Sequence, residues 1–256
     1  MAGVGTAIGR ILAPIVVGAL LLGVWLLLVD VVEVSPTLIP SPWTIGSEFV
    51  ANLGIIAEDA VTTGTNALLG LLIGSVVAIL LAALAARLAP VDGMLAPIVA
   101  ALMVVPIVAL TPIFNTMFGA SAQTGRILIA AIAAFVPVFI NMLRGLRQAQ
   151  PVQRDLFAAY AARGGQTFTR LTLPAALPHL LTGVRIAGSL AVIAAVVAEY
   201  FGGPADGVGT AIATYAKSGR IPLAWAYVGA AIAIGIVLFL VSILLERIVR
   251  RYRTET

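Results

Sequence analysis

The chain has 256 residues, of which 61% are hydrophobic and only 10% charged, with a net charge of +4 and a mean hydropathy of +1.11. This excludes an ordinary water-soluble domain, where roughly a quarter of residues carry charge, and leaves a polytopic membrane protein. The absence of cysteine also excludes disulfides and thiolate metal sites.

Six apolar runs follow in chain order: Ile11 to Val32, Asn66 to Leu88, Met94 to Phe118, Ile127 to Leu143, Leu180 to Tyr200 and Leu223 to Leu245. Each is close to the roughly 20 residues that cross the hydrocarbon as a helix. The expected fold is therefore all-α, one transmembrane domain over residues 1–256 with six membrane-spanning helices. The first run exceeds the about 7–15 residues of a signal-peptide core and lacks a clear small-residue cleavage site, so it is read as an uncleaved first span.

Six spans place both termini on one side, and the distribution of basic residues chooses which. Arg10, Arg87, Arg144, Arg147, Arg154, Arg163, Arg170, Arg185, Arg247, Arg250, Arg251 and Arg253 fall on the terminal side, against Arg126, Lys217 and Arg220 on the other. Both termini are expected in the cytoplasm. The stretch from Asp30 to Asp59 carries five acidic residues and no Lys or Arg, in agreement with an external position.

The loop 144–178, between the fourth and fifth runs, is then cytoplasmic. Pro151 suits a first helical position, where its missing N–H costs nothing, and Asp155 to Ala162 continue a short helix that Gly164 and Gly165 can end. A second short turn from Gln166 to Leu173 is expected before Pro174 and Pro178 break the chain. Leu156, Phe157 and Tyr160 share one apolar face. Lipid headgroups, the protein's own helix ends or a partner groove would each cover it.

This loop resembles the EAA motif of ATP-binding-cassette importer permeases, whose pattern is E-A-A, three residues, G, nine residues, I-x-L-P. Aligned on Leu173 and Pro174, Asp155 takes the acidic position, Leu156 and Phe157 the two alanines, Ala161 the glycine and Leu171 the isoleucine. The spacing is kept, while the two alanines are replaced by bulkier residues. Other segments resemble the nitrate, sulfonate, taurine and pyrimidine-precursor group of these permeases: Ile39-Pro40-Ser41-Pro42, the Pro-rich stretch from Val105 to Gly119, the Phe135, Pro137, Asn141, Gly145 series, and Gly207-Val208-Gly209.

The resemblance implies a coupling helix, comprising Asp155, Leu156, Phe157, Ala158, Tyr160, Ala161, Ala162, Arg163 and Gly164, docked on a cytoplasmic ATPase dimer. ATP and Mg would be bound by that partner, since this chain has no G-x-x-x-x-G-K-[ST] phosphate loop and needs no cofactor of its own. It further implies a second permease subunit, identical or related, and an extracytoplasmic solute-binding protein docking near Ser35 to Trp43 and Gly202 to Arg220. The protein would reside in a bacterial cytoplasmic membrane.

Polar residues inside spans are the candidates for a translocation path, because such groups are expensive in lipid. Thr111, Asn115, Asn141, Ser189 and Glu199 qualify. Thr111 and Asn115, beside Pro106 and Pro112, fit either a path or glue between helices. Gly70-x-x-x-Gly74 fits packing within the chain or between subunits. His179 reads as an interfacial polar residue, and Arg247 to Arg253 as an anchor to anionic lipid; nucleic-acid binding is an improbable use of these arginines. Lys217 and Arg220 would meet acidic residues of a binding protein or stand alone. With no cysteine, one histidine and no close pair of buried carboxylates, the chain is not expected to be catalytic. A secondary, ion-coupled transporter is the alternative, although it would call for an ionisable group or a broken helix at mid-membrane.

Overall fold

The structure, a computed structural model, describes residues 2–254 and the side chains of residues 12–247. Arg10, Arg250, Arg251 and Arg253, counted above as terminal-side charges, lie outside the residues whose side chains are described. Among the described residues there are helices and loops but no strand, as expected where every backbone polar group must be satisfied without water.

The first helix, α1, runs Ala2–Asp30, and its residues from Leu12 to Leu22 are exposed. Near its end, Trp25 donates to the carbonyl of Pro40 at 3.2 Å and packs on Trp225. A short helix α2, Pro42–Ala51, follows. Ser41 caps it by accepting from the Thr44 amide at 3.1 Å, and Pro42 stands at its first position, which is the physical content of the Ser-Pro pair.

The second span begins earlier than its apolar run: α3 extends over Leu53–Arg87. The third run differs more. It is two helices, α4 over Ala89–Val104 and α5 over Leu110–Phe118, joined through a 3₁₀ turn at Ile107–Ala109 and bent by 86°. Pro106 lacks the N–H needed to carry α4 onward, so a single straight span over Met94 to Phe118 does not form.

The central helix is α6, Thr124–Leu146. Its buried Ala130, Ala134, Val138 and Met142 recur every fourth residue and meet Ala67, Ala78 and Ala82 of α3 on one side. On the other side they meet Ala176, Ala187, Ala191 and Ala195 of a long helix, α9, Leu173–Tyr200. Small residues let the backbones approach closely, and dispersion across that seam replaces the hydrophobic drive that lipid does not supply. A Cβ on Gly70 would stand 2.8 Å from the Ile127 carbonyl oxygen, and one on Gly145 would stand 2.8 Å from Ala176 Cα. The Gly70-x-x-x-Gly74 motif therefore packs within the chain, against α6.

Two short helices, α7 over Pro151–Ala159 and α8 over Gly164–Thr167, lie between α6 and α9. Here the structure corrects three expectations. Gly164 and Gly165 do not end the first short helix; they begin α8, where the Arg163 amide donates to Gln166 Oε1 at 2.8 Å. The second turn is not a separate element, because α8 passes through a π turn at Phe168–Thr172 directly into α9, making one helical stretch from Gly164 to Tyr200. Pro174 and Pro178 do not break it: Leu173 donates to the carbonyl of Phe168 in a wider π turn, which carries the chain up to the proline in the first turn of α9.

Beyond Tyr200, α10, Val208–Lys217, and α11, Ile221–Thr254, complete the chain. A second apolar cluster of Ile56, Val208, Leu223 and Tyr227 fixes α10 between α3 and α11. Among the described residues five helices are long and apolar enough to cross a membrane, or six segments if the bent α4–α5 pair counts as one broken span.

Candidate functional site

At the end of the bundle that carries Arg87, Asp92 and Arg147, α7 forms a ledge. Pro151 opens it, and the Gln150 amide donates to Gln153 Oε1 at 3.0 Å. Its other end is closed by a Schellman arrangement: Ala162 donates to the Phe157 carbonyl at 3.0 Å and Ala161 to the Ala158 carbonyl at 2.9 Å. This closure requires a left-handed residue, usually glycine, and Ala161 occupies that position with φ of 50°. Ala161 is the residue aligned with the motif glycine, so the requirement there is one of backbone conformation as well as size.

The helix presents its apolar face outward. Leu156 is 55% and Tyr160 80% exposed, and Asp155, Ala158, Ala161, Arg163 and Gly164 are also exposed, whereas Phe157 and Ala162 are half-buried. Leu156, Phe157, Tyr160, Ala162, Gln166 and Arg170 surround a hollow of about 360 Å³. The ledge is tied back to the spans by the Arg87 guanidinium over the Phe168 ring at 4.7 Å, and by the Arg147–Asp92 ion pair at 2.8 Å. Thus all nine residues of the expected coupling helix lie on one projecting unit.

The opposite end is locked by polar groups of which the sequence singled out Glu199 and the Gly207-Val208-Gly209 segment but not their partners. Three successive amides of the loop entering α10 each find an acceptor on a span. Gly207 donates to Asp59 at 2.8 Å, Val208 to Thr63 at 2.9 Å and Gly209 to Glu199 at 2.9 Å. Gly207 holds φ of 88°, and a Cβ there would stand 2.6 Å from Glu199 Cδ; this gives the Gly-Val-Gly segment its reason. Glu199 also accepts from Thr63 at 2.8 Å.

Beside this set, Arg126, 1% exposed, pairs with Asp206 at 2.8 Å and donates to the Pro204 carbonyl at 2.7 Å and the Thr210 hydroxyl at 3.0 Å. Gln123 bridges Asn66 and Asp206 at 2.9 Å each. No local signal in the sequence reveals this network, since Arg126 and Asp206 are eighty positions apart and both look like loop charges.

The candidate path residues are not gathered in one place. Glu199 is 1% exposed and bound to Thr63 and the Gly209 amide. Asn141 donates to Pro137 of its own helix at 2.8 Å. Ser189 borders an apolar groove between α9 and α11. Thr111 and Asn115 do share α5; Asn115 packs near Gly125 and Gly202, and the Thr111 hydroxyl is buried without a hydrogen-bond partner. His179 packs on α6 near Gly145, Lys217 is exposed, and Arg220 lies 3.9 Å from Glu48 and over Tyr215. Among the described residues no group of His, Cys, Asp and Glu could hold a metal ion.

Comparison with known proteins agrees with this architecture. The family described as binding-protein-dependent transport system inner membrane component matches residues 70–254. The formylaminopyrimidine transport permease protein ThiX of Halalkalibacterium halodurans is 32% identical over 185 residues, covering 70% of this chain and 74% of that protein. The putative aliphatic sulfonates transport permease protein SsuC of Bacillus subtilis is 31% identical over 193 residues, 75% of this chain and 69% of its own length. The taurine transport system permease protein TauC of Escherichia coli is 29% identical over 176 residues, 66% and 63%. With five to six segments able to cross a membrane among its described residues and a family match over most of its length, the chain belongs to the binding-protein-dependent transport system inner membrane components, the multi-pass permeases of ATP-binding-cassette importers.

Proposed function

We propose that this chain forms, with a second permease subunit, the transmembrane path of an importer driven by a separate cytoplasmic ATPase dimer and fed by an extracytoplasmic solute-binding protein. The observation that carries the reading is the α7 ledge, which projects Leu156 and Tyr160 from the one elaborate loop between spans while its base is pinned to α3 and α4. An apolar, partly hollow face on a short, well-capped helix suits a partner groove better than bulk water. In this reading both termini and the ledge are cytoplasmic, in line with the basic residues at that end. The chain itself carries out no chemistry; ATP and Mg belong to the partner.

The external lock supports the same assignment. Asp59, Thr63 and Glu199 hold the loop before α10 rigidly, giving a binding protein a firm surface around residues 202–220. Glu199 is occupied by three kinds of donor, which leaves the ion-coupled alternative without a free carboxylate at that end of the fifth span; the break in the third span, which that alternative would also call for, does not separate the two readings.

Leu156→Glu and Tyr160→Glu, in the full chain coexpressed with its ATPase subunit, test the docking. Both should insert normally and lose copurification of the ATPase. Retention of the ATPase together with unimpaired solute uptake would refute the contact.

A further inference from the structure

Backbone that leaves the helical hydrogen-bonding pattern cannot face lipid at membrane depth; it must be covered by protein or line a water-filled cavity. The α4–α5 segment leaves that pattern at Val105 and Pro106 and turns by 86°. The turn lies deep. It borders a cavity of about 340 Å³ with Ile132, Val136 and Ile140, half-way along Thr124–Leu146, and with Leu190, near the middle of Leu173–Tyr200. Yet the turn is uncovered by the rest of the chain, with Met103 65%, Val104 82% and Val105 40% exposed.

The cavity wall has a definite chemistry. Proline at 106 removes the amide that would serve the Leu102 carbonyl, and proline at 137 removes the one for the Ala133 carbonyl. Leu102 and Ala133 both line the cavity. Two residues whose carbonyls are deprived of their helical donors thus belong to an otherwise aliphatic wall. Its lining contains no Lys, Arg, His, Asp or Glu, so it offers nothing to neutralise an anion, and carbonyl oxygens repel one.

We infer that this cavity is the mid-membrane part of the solute passage, open to water, and that it takes solutes presenting an uncharged apolar surface with N–H or O–H donors. The inference rests on the importer reading and adds the place and the chemical class of cargo. Water reaches the turn from the passage, so the broken span is tolerated there; cargo donors replace that water at the carbonyls.

Because the chain has no cysteine, single substitutions report without background. Val105→Cys and Val136→Cys would be compared with Leu80→Cys, which is 65% exposed on α3, away from the cavity. The full chain is expressed with its ATPase and binding-protein partners, and membranes are labelled both nucleotide-free and trapped with ATP and vanadate, so that both access states are sampled. The probes are neutral 2-hydroxyethyl methanethiosulfonate and anionic 2-sulfonatoethyl methanethiosulfonate; a maleimide dye counts remaining thiols after denaturation and confirms insertion.

In at least one state, the two cavity variants should react at least about tenfold faster than Leu80→Cys with the neutral probe. Normalised to free thiol, they should also favour the neutral over the anionic probe about tenfold. Cavity rates no greater than that of Leu80→Cys in both states would overturn the passage, and equal normalised rates would overturn the cargo class. Loss of the ATPase-docking reading would show instead in copurification, leaving these rates interpretable.

Discussion

The Ala162 amide donates to the Phe157 carbonyl across 3.0 Å and closes α7 around a left-handed Ala161. That bond sets the outline of the ledge: it stops the helix at Ala159 and turns the chain into α8, so that Phe157 and Ala162 line the same hollow. A residue with a Cβ is held there in a conformation that costs L-amino acids about 1–2 kcal/mol.

Ala161→Gly should therefore stabilise the ledge by about 1 kcal/mol, offset in part by the greater freedom of glycine in the unfolded chain. Ala161→Val should destabilise it by more. Protease cleavage rates between Pro151 and Gly165 in the solubilised chain measure both, and the ATPase should copurify with the glycine variant. Faster cleavage of the glycine variant would contradict the assignment of strain.

Arg126 supplies the positive charge of the lock that holds the loop before α10 and is itself fully buried, whereas Asp206 is half exposed. Arg126→Ala leaves the Asp206 carboxylate without its cation and the Pro204 carbonyl without its 2.7 Å donor, and should cost about 3 kcal/mol, somewhat less if water reaches Asp206. Arg126→Lys should recover only part, since one ammonium cannot reproduce the forked bonds. Thermal unfolding in detergent would rank the three, with wild type highest.

Thr111→Val separates path from glue. The hydroxyl has no protein partner and is buried, so an isosteric apolar replacement should be neutral or stabilising by about 1 kcal/mol. Unchanged transport would mark Thr111 as packing. A drop in uptake with unaltered stability would mark its hydroxyl as a group that touches the solute.

Gly74 packs directly on the Ala131 carbonyl. Gly74→Leu should push α3 from α6 and destabilise the bundle by about 1–3 kcal/mol or more, while Gly93→Leu, in open space on α4, should leave it nearly unchanged. Comparing the melting temperatures of the two variants in detergent tests whether this glycine pair joins helices within one chain.

Much of this protein is legible in its residues taken in order. Composition and run length define an all-helical membrane chain, because a spanning backbone has few ways to satisfy its polar groups. Proline and spacing locate α7, and the place of Ala161 in the motif marks its turn. Serine and proline likewise announce the start of α2. These signals act over a few residues and survive without knowledge of the neighbours.

Only the tertiary structure decides the rest. Arg126 and Asp206, or Val208 and Thr63, meet because α3, α6 and α9 are packed side by side, and no local pattern pairs them. The third span reads as continuous apolar sequence, yet it turns at Pro106 against the middle of α6. Hydropathy reports what lipid or a core will accept; it does not report where a helix loses its hydrogen bonds. Sequence by itself determined that this chain crosses a membrane and offers a ledge, while packing determined what locks one end and where the third apolar run turns. The physical reason is range: propensity and capping act within a turn of helix, whereas burial and pairing act between residues that only the fold brings together.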